Sequence, residues 1–216
     1  MVDVESFLGQ LDAEIRAALD RIGAAASREP GAEVTVGKLL FLALKNEIEA
    51  TECAAGWIGT TREIDVKLAL ARQAGDEAKH YRLIAERLGE LGLDASTFDP
   101  GPRSPMLEYL SSLHSTVERV AAGQFTREAL ALVRNDEFMR FCESRGDAAT
   151  AALYRDVIQP DERHHHELGR RLLTRLITDK EAQDRARTAS LRTLAVAEEL
   201  QEIARMKAGI SRAPGC

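Results

Sequence analysis

Asp76-Glu77-Ala78-Lys79-His80 and Asp161-Glu162-Arg163-His164-His165 decide how the chain reads. Both are D-E-x-x-H, and each lies in the middle of a long run of helix-forming residues with an apolar stripe. A Glu and a His three residues apart share one face of a helix, so the two side chains of each motif reach a common point. Around the first motif the stripe is Leu70, Ala74, Ile84 and Leu91; around the second it is Ala151, Ile158, Leu172 and Leu176. The charged pairs therefore fall where the helix should be buried. Burying several carboxylates without a cation is costly, and a metal is the natural compensation.

Outward from these motifs the sequence stays helical. Ala, Leu, Glu and Arg dominate, all strong helix formers, and β-branched and aromatic residues never alternate over a strand length. Of the prolines, only Pro160 interrupts a helical pattern. Helices are expected over about 3–25, 35–58, 60–91, 105–144 and 148–177, followed by a polar helix over about 178–208 and a loose tail, SRAPGC. Pro30 and Gly31 break the chain between the first two helices. Thr60 with Glu63 fits a capping box, Gly92 a helix stop, and the segment 93–105 with its three prolines a crossover loop. Gly123 marks a kink or break, and Gly146-Asp147 a tight turn. The helix at 35–58 carries Leu40, Leu44, Thr51, Ala54 and Ile58 on one stripe, with Glu47 inside it. Four long helices with short first and last turns and a long central crossover make a four-helix bundle. The expected organisation is one all-α domain over 1–216. Its bundle spans 35–178, with an additional N-terminal helix and linker at 1–34 and a polar helical extension and tail at 179–216.

Length along the helices selects the remaining acidic residues. Antiparallel neighbours bring residues level when they lie equally far from the connecting turn. Glu162 is 16 residues beyond the turn at 146 and Glu128 is 18 before it, whereas Glu137 is only 9 before it. That would displace Glu137 by about 10 Å along the axis at ~1.5 Å per residue. Around the turn near 60, Glu77 is 17 residues beyond and Glu47 is 13 before; Glu49 and Glu52 fit worse. The candidate set is Glu47, Glu77, His80, Glu128, Glu162 and His165. One Glu from each of two helices and Glu-x-x-His from each of two others is the plan of a dinuclear metal site in a bundle. Oxygen and nitrogen donors without thiolate suit two Fe ions, Mn, or a mixed Mn/Fe pair.

With these residues the chain resembles the ferritin-like di-iron carboxylate superfamily, over roughly 35–178. The resemblance rests on the two D-E-x-x-H motifs, on Glu47 and Glu128, and on the 34-residue spacing from Glu128 to Glu162; the 30-residue spacing from Glu47 to Glu77 is short for the pattern. It implies that Glu77 and Glu162 bridge or chelate metal and that His80 and His165 each ligate one ion. It also implies that Asp76 and Asp161 hydrogen-bond a ligating imidazole, which fixes its tautomer and orientation. The implied branches are non-haem di-iron oxygenases and oxidases, or rubrerythrin-like proteins. The absence of a CxxC pair argues against a rubrerythrin with its own electron-transfer iron, and the added helices argue against a plain storage ferritin. The leading expectation is an oxidoreductase acting with dioxygen on a small organic substrate. A ferroxidase or peroxide-detoxifying protein and a helical scaffold are the alternatives. The expected partners are dioxygen, the organic substrate, an external electron donor and a second copy of the chain in a homodimer.

Composition bounds the other classes. The chain has 216 residues, 44% hydrophobic and 30% charged, which excludes a disordered or low-complexity protein. No apolar run reaches the length of a membrane span, and no signal peptide is read at the N-terminus. A net charge of −6 argues against a nucleic-acid binder. Cys53, Cys142 and Cys216 are too dispersed for a disulfide framework or a thiolate knuckle, so the expected compartment is the cytoplasm. His164 and His166 point to other faces than His165 and read as solvent or interface residues; His114 reads as incidental. Tyr81 and Tyr154 read as core or as neighbours of the site. Pro160 reads equally as a solvent-side kink or as a bend beside the metals. An apolar substrate tunnel would run near Phe125, Leu132 or Met139.

Overall fold

A computed structural model of the protein describes residues 3–26, 34–208 and 214–215. Among the described residues every regular element is helical: α1 (Val4–Ala26), α2 (Val36–Ile58), α3 (Ile64–Glu90), α4 (Pro105–Ser111), α5 (Thr116–Arg119), α6 (Glu128–Ser144), α7 (Ala148–Leu153), α8 (Gln159–Leu176) and α9 (Lys180–Ala208). A π-helical turn, Val120–Arg127, joins α5 to α6, and a second, Tyr154–Ile158, joins α7 to α8. The result is a ferritin-like four-helix bundle. Its rods are α2, α3, the α5–α6 run and the α7–α8 run, with α1 and α9 added at the two chain ends.

The ends of the rods have local causes. Thr35 accepts a hydrogen bond from the Lys38 amide and opens α2. Gly92, at φ 75°, closes α3, and the Leu93 amide donates back to the Leu88 carbonyl. Asp147 accepts from the Thr150 amide at 3.0 Å and opens α7 just after Gly146, at φ 77°. The capping box lies elsewhere than expected. Thr61 Oγ1 donates to the Trp57 carbonyl, Thr60 Oγ1 accepts from Arg119, and Glu63 accepts from the Thr116 hydroxyl at 2.7 Å. Glu63 makes no side-chain cap for α3. The capping box present is Ser115 with Glu118, at the start of α5.

That box explains a second difference. The helix expected over 105–144 is interrupted after α4 and restarts at Ser115. Gly123 lies within the π-helical turn of the restarted rod and under the Trp57 ring, where a Cβ would come within 2.8 Å of the indole. Leu91, assigned to the core stripe, sits at the α3 C-terminus and is exposed. The break expected near 26–34 falls mainly outside the described residues.

The polar helix at the C-terminus is an integral part of the packing. In α9, Ala186, Ala189, Leu194, Val196 and Ala197 are buried in the same apolar core as Leu8, Leu11 and Ile15 of α1. Ser190 Oγ donates to the Ala121 carbonyl in the first π turn. The tail is not loose where it is described. Pro214 and Gly215 are buried, and they bond Asn46 and Asn135. Cys216 lies outside the described residues.

The apolar interior is divided in two. One core holds Cys53, Trp57, Leu70, Phe125, Leu130 and Leu172; the other holds Leu40, Leu44, Ile84, Phe138, Tyr154 and Ile158. On α2, α3 and α8 the switch from one core to the other occurs around Glu47, Glu77 and Glu162; on α6 it falls between Val133 and Phe138, beyond Glu128. A polar layer therefore crosses the middle of the bundle.

Candidate metal centre

Each rod contributes to this layer: Glu47 from α2, Glu77 and His80 from α3, Glu128 from the start of α6, and Glu162 and His165 from α8. All six side chains belong to residues no more than 3% exposed, so water does not solvate their charges. They form two overlapping sets. Glu47, Glu77, His80 and Glu162 each offer a ligand atom within 4.8 Å of the others, and so do Glu77, Glu128, Glu162 and His165. Glu77 and Glu162 belong to both sets, so one oxygen of each can face each half. The arrangement can chelate a dinuclear metal.

The two imidazoles present Nδ1 to the layer. His80 Nδ1 lies 3.3 Å from Glu77 and 3.5 Å from Glu47; His165 Nδ1 lies 3.4 Å from Glu162 and 3.8 Å from Glu77. Their far nitrogens are held by the aspartates of the opposite motif. His80 Nε2 donates to Asp161 at 3.1 Å, and His165 Nε2 donates to Asp76 at 3.1 Å. The two D-E-x-x-H motifs are thus cross-braced, each aspartate orienting the other helix's histidine. Lys79 donates to Asp161, and Arg72 donates to Asp76 at 3.3 Å. The His165 hydrogen bond holds the Asp76 carboxyl down at about 2. Burial opposes ionisation of Asp161, but Lys79 and His80 outweigh it and lower its pKa.

Burial, reinforced by the charges of Glu77 and Glu162, pushes Glu47 up to about 8, and burial with the charges of Glu162 and Glu77 pushes Glu128 well above the carboxylate range. Burial disfavours the His80 cation, yet hydrogen bonds to Glu47 and Glu77 raise it to about 12. His165 rises to about 11 against its own burial, through Asp76 and Glu162. All these shifts run in the direction that favours positive charge among the buried carboxylates. Glu162 Oε2 and His165 Nδ1 are buried 3.4 Å apart as an ion pair, without a well-aligned hydrogen bond among the described residues. Buried ligand atoms left without a hydrogen bond are rare and need an explanation. Four carboxylates balance two divalent ions, and these atoms face the same point, so the residues present fit a dinuclear metal.

The other expected residues separate cleanly. Glu49 binds the Ser104 amide at 2.8 Å, Glu52 is exposed, and Glu137 is half-buried, with Oε1 3.4 Å from where a Cβ on Gly23 would stand. Tyr81 turns its ring toward Phe98 in the crossover loop, 6.5 Å between centroids. Tyr154 is fully buried, edge-on to Phe138 at 4.8 Å; its hydroxyl has no described partner, and burial followed by the Glu47 charge raises its pKa. His114 is exposed. Of the solvent and interface alternatives, His166 takes the interface: its Nδ1 donates to the Phe125 carbonyl at 2.7 Å and its ring stacks on Phe125. A π turn shifts backbone carbonyls out of their usual pairing, and this imidazole takes one of them. Pro160 stands in the first turn of α8, where its missing N–H follows the second π turn and the Gln159 amide reaches the Tyr154 carbonyl. Phe125 packs in one apolar core and Met139 against the other, while the Leu132 carbonyl accepts from Gln159.

Gln73 is the neighbour that motif reading passes over. It is buried, and its amide donates to Glu128 at 2.5 Å and to Glu77 at 3.3 Å. The available signal is its place four residues before Glu77, on the same helix face.

Fold and site together define an all-α protein with two buried acid/histidine sets, consistent with a member of the ferritin-like di-iron superfamily. Residues 37–214, most of the chain, match the family described as "Protein of unknown function (DUF455)", and the chain belongs to that family. No curated protein and no solved structure matches it.

Proposed function

We propose that this protein is a non-haem di-iron, or mixed manganese–iron, oxidoreductase that uses dioxygen to oxidise or oxygenate a small organic molecule. The carrying observation is the cross-braced layer of four buried glutamates and two histidines. These residues would hold a redox-active metal pair, whose chemistry there would be the reduction of dioxygen. Glu77 and Glu162 serve both ions, Glu47 and Glu128 one each, and His80 and His165 one each. Asp161 and Asp76 keep the Nδ1 lone pairs aimed inward. Gln73 restrains Glu128 and Glu77 against each other. The apolar cores above and below the layer exclude water, which strengthens every interaction within it. What supports an organic substrate over iron storage is that α1 and α9 are packed onto the bundle as parts of its core. An external donor would deliver the electrons.

The test has two stages. Aerobically purified protein should carry close to two Fe or Mn per chain by elemental analysis. The reduced protein should then consume oxygen in proportion to an added organic substrate. A metal content near zero after growth in ample metal, with no gain in thermal stability on reconstitution, refutes the centre. Oxygen uptake sustained only by excess Fe(II) refutes the oxygenase reading and leaves a ferroxidase.

A further inference from the structure

Gln73 and Glu128 stand on different rods, 55 residues apart in the chain, and their side chains meet inside the ligand layer. Gln73 is 4% exposed and Glu128 1%. Gln73 Nε2 donates to Glu128 Oε1 at 2.5 Å and to Glu77 Oε1 at 3.3 Å. Gln73 precedes Glu77 by four residues on α3, so the two share a helix face. A carboxamide suits this place: it donates to two carboxylates at once and adds no charge to a layer already crowded with acid. One amide therefore ties the private glutamate of one half to a glutamate that both halves share.

The other private glutamate is held by different means. Glu47 Oε2 lies 3.5 Å from His80 Nδ1, and the residue four before Glu47 on α2 is Ala43. His80 belongs to the same donor set as Glu47, so an ion bound there takes the nitrogen that meets Glu47. The bond from Gln73 to Glu128 survives metal entry. A carboxylate has two oxygens and about four lone-pair sites, so Glu128 Oε2 stays open to an ion while Oε1 is held. Two effects oppose each other. Donation to Oε1 draws some electron density from the ligand, and orientation in advance spares the ordering of a side chain with three rotatable bonds. Hydrogen-bond partners behind metal ligands raise affinity by about 10–100-fold, so orientation wins. We propose that Gln73 is a positioning residue that makes the two metal positions unequal: by fixing the Glu128 carboxylate it gives the Glu128–His165 position the higher affinity, and this position fills first. The proposal deepens the metal reading and rests on it.

The test titrates Mn(II) into wild type, Gln73→Met and Gln73→Leu, two donor-free side chains of similar bulk, with folding checked by circular dichroism. Wild type should bind in two steps of unequal affinity. In both variants the tighter step should weaken about tenfold, and the weaker step should keep its affinity. Asp76→Ala and Asp161→Ala identify the steps, because Asp76 braces His165 and Asp161 braces His80. The step weakened in the Gln73 variants should be the one that Asp76→Ala weakens. Equal steps in wild type, unchanged affinity in the variants, equal weakening of both steps, or weakening of the Asp161 step overturns the proposal. If wild type binds no Mn(II), the metal reading has failed separately, and the positioning role is read in metal-free protein by NMR. The Gln73 side-chain amide is assigned by its loss in Gln73→Met. Its proton signals should move in Glu128→Gln and stay in place in Glu47→Gln; equal shifts, or none, overturn the positioning role.

Discussion

Gly169→Ala should destabilise the protein, although alanine is the better helix former. Gly169 lies on α8, one turn beyond His165, against the first π turn. A Cβ there would stand 2.8 Å from the Gln124 carbonyl carbon, 2.9 Å from its oxygen and 2.9 Å from the Phe125 nitrogen. All three are backbone atoms, so no side chain can swing aside; α8 must withdraw from the turn. Overpacking against backbone atoms that cannot swing aside falls in the upper part of the usual range, about 2–3 kcal/mol, and the helix propensity of alanine offsets about 1 kcal/mol of it. The net loss of about 1–2 kcal/mol corresponds to a melting temperature lower by roughly 2–8 °C in a chain of this size. Gly75→Ala is the matched control. Gly75 is exposed in the middle of α3 with no atom within 4 Å of its Cβ position, so the same substitution should raise stability by about 0.5–1 kcal/mol. Thermal and urea unfolding of both metal-free variants read the signs directly. Because the withdrawn helix carries His165 and the disturbed turn leads into Glu128, metal affinity of that half should fall only in Gly169→Ala. A Gly169→Ala protein as stable as wild type, or more stable, refutes the close-packing argument.

Glu128→Ala should lose at least one metal while Glu137→Ala retains both, as measured by elemental analysis on folded samples; equal retention would break the axial-register argument. Asp161→Ala and Asp76→Ala should each weaken metal binding by about 10–100-fold, the first at the ion beside His80 and the second at the ion beside His165, read by competitive titration; a pattern keyed to the same motif rather than the opposite one would refute the cross-bracing. The metal-free protein should lose stability as pH rises from about 5 to about 9: Glu47 titrates near 8 when folded instead of its ordinary 4.5, and His80 and His165 near 12 and 11 instead of 6.5, so the folded state holds the extra protons. Melting curves across that range should fall without metal, and the metal-induced gain should widen, because metal binding displaces these protons.

Much of the bundle was legible because its signals are local and periodic. The apolar stripes, Gly92, Gly146 and the recurring D-E-x-x-H each act within one or two helical turns. Glu128 could be preferred to Glu137 because antiparallel helices convert residue counts into axial distance. What escaped depends on contacts between distant segments. Thr60 and Glu63 have the spacing of a capping box, but Arg119 and Thr116 claim their oxygens from another rod. A π turn has no strong periodic mark, and without it the role of His166 cannot be read. Gln73 and Glu128 are 55 residues apart, Asn46 and Pro214 168 apart, and no local pattern encodes such pairs.

The ligand layer is nearly two-fold in character: each half has one private glutamate, one histidine and a share of two common glutamates, and each histidine is braced by the other motif's aspartate. Identical ligands would give the two ions identical properties, so any division of labour must come from the surroundings. Those surroundings differ sharply. The Glu128 half is held by Gln73 and by a π turn that Gly169 and His166 lock from α8. The Glu47 half faces Gly215 and the uncompensated hydroxyl of Tyr154, beside the second π turn. One half is therefore backed by side chains of the helical framework, while among the described residues the other is also backed by Pro214 and Gly215, which bond Asn46 and Asn135.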